Sequence, residues 1–167
     1  MKKIIHLTLF LAIVSALAGV TLSYVNGMTS PIIVERQIAA VKASLQEIFP
    51  NVSNFTEINF RDDSELVSKV YSADGAGYAF DVSVQGYKDI ISYIVGVDND
   101  GSVVGFIVTV VNDTPGLGSK VAEQEFRTSV EGNPIGGKFD TISGSTISSA
   151  AVTKGLASVS AVLESLK

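Results

Sequence analysis

The sequence predicts an α+β protein, an antiparallel sheet with packed helices, preceded by a single N-terminal transmembrane helix. Three observations carry that reading. Residues Ile4 to Val25 form one apolar run. Between Tyr78 and Val111 the side chains follow strand periodicity, and Asp98-Asn99-Asp100-Gly101 supplies a hairpin turn. Near the C-terminus, Val152, Leu156, Val159, Leu163 and Leu166 recur at alternating spacings of four and three, the stripe of a helix packed on a core.

The N-terminal run, IIHLTLFLAIVSALAGVTLSYV, holds no acidic or strongly basic side chain. As a helix it spans roughly 33 Å, enough for the hydrocarbon core of a bilayer. Lys2 and Lys3 precede it, which places the N-terminus in the cytoplasm by the positive-inside rule. Tyr24 suits the far interface, and Pro31 marks where a helix would end or restart. A cleaved signal peptide is the rival, because Ala16-Leu17-Ala18 fits a cleavage site after Ala18. The apolar character continues through Val20, Leu22 and Val25, which favours an uncleaved anchor. Either way the rest of the chain lies outside the cytoplasm. The expected division is a cytoplasmic N-terminus and anchor over 1–28 and an extracytoplasmic domain over 29–167, held single-pass at the cell (inner) membrane.

Composition narrows the chemistry. The 167 residues include no Cys, no Trp and one His, His6, which lies within the apolar run. Thiolate catalysis, iron–sulfur ligation and cysteine zinc sites are excluded, as are a Ser-His-Asp triad and a His-rich metal site in the outer domain. Redox chemistry here needs a bound organic cofactor. From Asn26 onward ten Lys and Arg stand against seventeen Asp and Glu, a net charge of −7. That balance argues against nucleic acid and against an anionic membrane surface as partners.

After the anchor, Pro31 to Phe49 reads as an amphipathic helix. Ile38, Val41, Leu45, Ile48 and Phe49 lie on one face, and Glu35, Arg36, Lys42 and Glu47 on the other. Pro50 stops it. Phe55 to Val70 holds a strand or two, and clear strands follow over 78–84, 90–97 and 103–111. The acidic side chains of the 98–101 turn lack the later ligands of a calcium loop. Val121 to Val130 reads as a short helix and 132–137 as a loop. In the last helix Thr153, Lys154, Glu164 and Lys167 can face water.

Two strings carry the candidate chemistry. Asp140-Thr141-Ile142-Ser143-Gly144-Ser145-Thr146-Ile147-Ser148-Ser149 opens directly into the last helix. It places a Thr146 hydroxyl among unpaired N–H groups at the positive end of a helix dipole, a ready anion site. On the residues alone, an ordinary capped helix start explains it better. The second string is Asn112-Asp113-Thr114-Pro115-Gly116-Leu117-Gly118-Ser119-Lys120. Gly116 and Gly118 flank Leu117 in a loop poor in side chains, so a planar ligand could approach its backbone; a plain turn is the alternative.

The first string resembles the attachment motif of the FMN-binding domains in Rnf and Nqr electron-transport complexes, an Asp followed by Ser-Gly-Ala-Thr-x-Ser/Thr. Ser145 stands where that family usually has Ala. The second resembles the family's Glu-Thr-Pro-Gly-Leu-Gly loop, with Asp113 for the usual Glu and Val111 where a His often sits. Gly75-Ala76-Gly77-Tyr78 and Ile94-Val95-Gly96-Val97-Asp98 resemble two further blocks in the same order. The similarity covers about Thr29 to Leu166, and an anchor precedes it.

The resemblance implies FMN joined through its phosphate to the Thr146 hydroxyl. Ser143, Gly144, Ser145 and Ser148 or Ser149 would surround the phosphate, and Thr114, Gly116, Leu117 and Gly118 would border the flavin. It further implies a separate flavin transferase and other membrane subunits as partners. The chain would be the G-type subunit of an Rnf-like ion-translocating ferredoxin:NAD oxidoreductase, relaying electrons without a substrate pocket or catalytic residues of its own. Alternatives are the C-type subunit of a Na⁺-translocating NADH:quinone reductase, another anchored flavodomain, or a non-redox binding or structural module.

Overall fold

The computed structural model describes residues 2–166, with the side chains at 31, 32, 34 and 35 outside that description. Lys167 and the Glu35 side chain, both expected to face water, therefore fall outside the described residues. The chain divides into two compact units, Met1–Ala40 and Val41–Lys167.

Helix α1 spans Lys2–Ile48. Its Lys2–Ser30 stretch has a mean hydropathy of 2.2 with none of it buried, and is long and apolar enough to cross a membrane. The hydroxyls of Thr8, Thr21 and Thr29 donate to carbonyls one turn back at 2.8–2.9 Å, so none of the three needs water. The sequence anticipates an end or restart at Pro31, but the helix continues through it. A proline removes one helical N–H, and the turns on either side keep their own ladders. In the second unit, Leu45, Ile48 and Phe49 are buried and Val41 is half-buried, while the helix ends just before Pro50. Ile38, expected on that face, is exposed.

Five strands follow: β1 (Phe55–Ile58), β2 (Val67–Ala73), β3 (Gly77–Gln85), β4 (Ile90–Asp98) and β5 (Val103–Val111). They form one antiparallel meander in sequence order. The 98–101 turn closes as expected, with Asp98 Oδ1 accepting the N–H groups of Asp100 (3.0 Å) and Ser102 (2.8 Å).

Strand alternation separates two apolar clusters. Ala73, Ala79 and Ile94 pack with Leu45, Ile48 and Phe49 on one face. The larger cluster includes Phe80, Val82, Ile91, Tyr93, Val95 and Phe106 together with the C-terminal helices. A 3-10 turn over Gly118–Ala122 leads to helix α2 (Gln124–Val130). The sequence reads one helix over 121–130; instead the chain is extended at Glu123. Val121 and Phe126 explain the break, because both are buried and five residues along one α-helix would point them apart.

Helix α3 runs Thr146–Leu166 and buries Val152, Leu156, Val159 and Leu163. It approaches the sheet closely at Gly155, where a Cβ would meet the Tyr93 hydroxyl. That hydroxyl donates to the Val152 carbonyl at 3.0 Å, and burial pushes its pKa well up, so it stays protonated. The contact fixes how the second and third turns of α3 sit on β4.

Candidate flavin site at the start of helix α3

The site is assembled around one carboxylate. Asp113 lies two residues past the end of β5 and is buried. Its Oδ1 accepts the N–H groups of Thr114 (2.7 Å) and Lys88 (3.1 Å). Its Oδ2 accepts the Tyr87 N–H (3.0 Å) and the Ser148 hydroxyl (2.6 Å). One side chain thus ties the β3–β4 turn, the 113–118 loop and the first turn of α3. Burial pushes the Asp113 carboxyl up, but the bonds from Ser148, Thr114, Tyr87 and Lys88 outweigh it and hold its pKa below the ordinary value. Gly118 is buried against this group, and a Cβ there would run into the Asp113 side chain.

The loop is also bonded within itself. The Thr114 carbonyl accepts N–H groups from Leu117 (3.1 Å) and Ser119 (3.3 Å), and the Gly116 N–H reaches Ser119 Oγ (2.9 Å). These bonds leave the Leu117 side chain exposed.

The Ser143-Gly144 turn faces that loop. Ser145 N–H bonds to the Ile142 carbonyl (2.9 Å), and Gly144 takes φ +79°, a conformation that L side chains rarely adopt. A Cβ at Gly144 would have Leu117 Cδ2 at 3.9 Å and Lys120 Nζ at 4.0 Å as its nearest atoms. Ser149 locks the turn, since its hydroxyl donates to the Ser145 carbonyl (2.8 Å) and accepts the Ile142 N–H (3.0 Å).

The first α3 hydrogen bond runs from Ser149 N–H to the Ser145 carbonyl. The N–H groups of Thr146, Ile147 and Ser148 lie ahead of it. Thr146 and Ile147 are exposed, whereas Ser145, Ser148 and Ser149 are buried. Among the described residues, Ser145 Oγ is buried without a hydrogen-bond partner.

The two strings singled out in the sequence therefore meet in space. Thr114, Gly116, Leu117 and Gly118 form one loop, and Ser143 to Ser148 form the turn beside it. Ser148 directs its hydroxyl to Asp113, and Ser149 directs its own into the turn. Asp113 and Lys120, quoted in the sequence but assigned no role, also belong to this junction. Local patterns give no signal for Asp113, because its donors come from positions 87, 88, 114 and 148.

Residues 86–160 match the FMN-binding domain family. That stretch is similar to FMN-binding domains. The match begins at the β3–β4 turn tied to Asp113 and ends inside α3, so it encloses the whole junction. The G-type subunit of the proton-translocating ferredoxin:NAD(+) oxidoreductase complex of Clostridium ljungdahlii is 26% identical, over 93% of this chain and 89% of the relative. Its counterpart in the Na(+)-translocating ferredoxin:NAD(+) oxidoreductase complex of Acetobacterium woodii is 27% identical over the same shares. The counterpart in the ion-translocating oxidoreductase complex of Methanosarcina acetivorans is 29% identical, over 93% of this chain and 92% of the relative. The family expected from the motifs is the family found, and coverage this wide takes in much of the apolar N-terminal stretch.

The donor set at this junction suits a flavin phosphate. An exposed threonine hydroxyl stands at a helix start with three N–H groups ahead of the first helical bond. A turn with small side chains leaves its approach open, and a lysine lies beside that turn. The buried Ser145 position accepts a small residue, as the family's usual Ala requires.

Proposed function

We propose that this protein carries FMN joined covalently to Thr146 and relays electrons as the G-type subunit of an Rnf-like ion-translocating ferredoxin:NAD oxidoreductase. The observation that carries the reading is the exposed Thr146 hydroxyl at the first position of α3, beside the 114–118 loop, inside the FMN-binding domain match. The similarity to G-type subunits over nine-tenths of the chain supports the complex.

Attachment forms a P–O bond to the Thr146 oxygen, which loses its proton as a leaving group departs from phosphorus. A flavin nucleotide with an activated phosphate supplies both flavin and leaving group, and a separate flavin transferase acts on it. Bound FMN accepts and releases electrons. The chain's own residues hold and shape the site. Asp113 fixes the loop against α3, the N–H groups ahead of the first α3 bond would hold the phosphate, and Leu117 would offer the ring an apolar contact. Ser143 and Gly144 keep the approach to Thr146 open and free of bulk, with Ser148 bracing the turn through Asp113.

Lys2 and Lys3 ahead of the apolar stretch favour a cytoplasmic N-terminus and an outer FMN-binding domain. A covalent bond suits that location, where a diffusible cofactor would be lost. The test is co-expression with a flavin transferase, followed by denaturing electrophoresis read by flavin fluorescence. The wild-type band is expected to fluoresce and Thr146→Ala to be dark; a fluorescent Thr146→Ala band contradicts the assignment.

A further inference from the structure

Lys120 stands out on electrostatic grounds. Its Nζ is 4.0 Å from the Cβ position of Gly144, two residues ahead of the first residue of α3. A cation at the N-terminal end of a helix opposes the helix dipole, so the helix itself does not favour it there. Lys120 is half-buried and forms no ion pair or hydrogen bond through Nζ among the described residues. Asp113 does not bond the Lys120 ammonium, since both its oxygens are filled by four other donors. A second anion at Thr146 would lie two residues from Ser148, which is bonded to that carboxylate, and would need a counter-cation of its own.

We propose that Lys120 is the counter-cation of the flavin phosphate, a positioning residue that holds the phosphodiester beside the Ser143-Gly144 turn. The proposal rests on the flavin reading above. It gives the 3-10 turn over 118–122 a function: Leu117, just before it, meets the apolar ring, and Lys120, one turn later, meets the phosphate. Ring and phosphate are thereby recognised from one loop.

The test compares the full chain in detergent as wild type, Lys120→Gln and Lys120→Arg, each with and without covalent flavin. Intact mass first establishes how much flavin each has taken, and the melting temperature is then measured in low salt and in about 1 M salt. Attachment should raise the melting temperature of wild type and Lys120→Arg by about 3 °C more than that of Lys120→Gln in low salt. The excess should fade in high salt as the charge pair is screened. Without flavin, Lys120→Gln should melt no lower than wild type, because it removes a cation facing a helix N-terminus. If Lys120→Gln takes no flavin while Lys120→Arg does, the proposal is supported by its other consequence. Equal gains in wild type and Lys120→Gln, or a Lys120→Gln deficit that persists in high salt, overturn it. Absence of flavin mass from wild type instead overturns the flavin reading, and the Lys120 proposal with it.

Discussion

Asp113 controls the site because a carboxylate can satisfy four donors from three segments at once. In Asp113→Asn one oxygen becomes a donor, leaving two of those four without an acceptor. The expected loss is about 2–4 kcal/mol, read as a lower midpoint in denaturant melts. A pH dependence follows from the depressed carboxyl. With its folded pKa below the unfolded value of about 3.9, Asp113 contributes stability that is present above about pH 4 and lost as pH falls through the folded value. Wild-type stability should therefore fall faster than that of Asp113→Asn between about pH 5 and pH 3. Parallel curves would show that the carboxylate contributes nothing through its charge.

Ser145 gives the opposite sign. A helix-start serine normally costs about 1 kcal/mol to replace with Ala, because its oxygen caps an N–H. Here the hydroxyl is buried without a partner. Ser145→Ala should therefore be neutral or stabilising by up to about 1 kcal/mol while flavin attachment persists. A clear loss of stability would mean that the hydroxyl has a partner in solution.

At the scale of elements, the two glycines of the 114–118 loop have different reasons to be glycine. Gly116 has φ +75° and open space around its Cβ position, whereas Gly118 lies against the Asp113 side chain. Gly116→Ala should cost about 1–2 kcal/mol of backbone strain. Gly118→Val should cost more, about 3 kcal/mol or above, because the clamp itself must move. Melting curves of the two variants decide the order, and a milder effect at Gly118 would contradict the clamp. The sequence alone suggests one role for both residues, an open backbone for a planar ligand. It cannot separate them, because the atom that crowds Gly118 belongs to a carboxylate five residues away whose direction is set by the 87–88 turn.

The same contrast runs through the fold. The strands, the 98–101 hairpin and α3 are legible because periodicity and turn chemistry are local. The break at Glu123 and the continuation of α1 through Pro31 are not. The first is decided by where Val121 and Phe126 must point, and the second by helix on both sides of a single missing N–H. In the site, Ser143 to Thr146 and Thr114 to Gly118 are readable as turns. That they face each other is a tertiary fact, carried by Asp113 and by Leu117 beside Gly144.

For the whole molecule, orientation is the claim that gives the flavin its compartment. Ser165 is exposed, and Ser165→Cys should react with a membrane-impermeant thiol reagent in intact cells, or in spheroplasts where an outer membrane blocks access. The chain has no native Cys to confuse the result. Labelling only after lysis would put the C-terminal domain in the cytoplasm. Recovery of a soluble form beginning after Ala18 would show cleavage rather than anchoring.

The central claim is that Thr146 holds the flavin, and peptide mass mapping of protein matured with a flavin transferase tests it most directly. The peptide containing Ser143-Gly144-Ser145-Thr146 should gain the mass of one FMN less one water, with fragment ions placing the gain on Thr146. In Thr146→Ala every peptide should be unmodified while the fold is retained. Flavin mass on any other residue, or on no peptide of the matured wild type, would contradict the account.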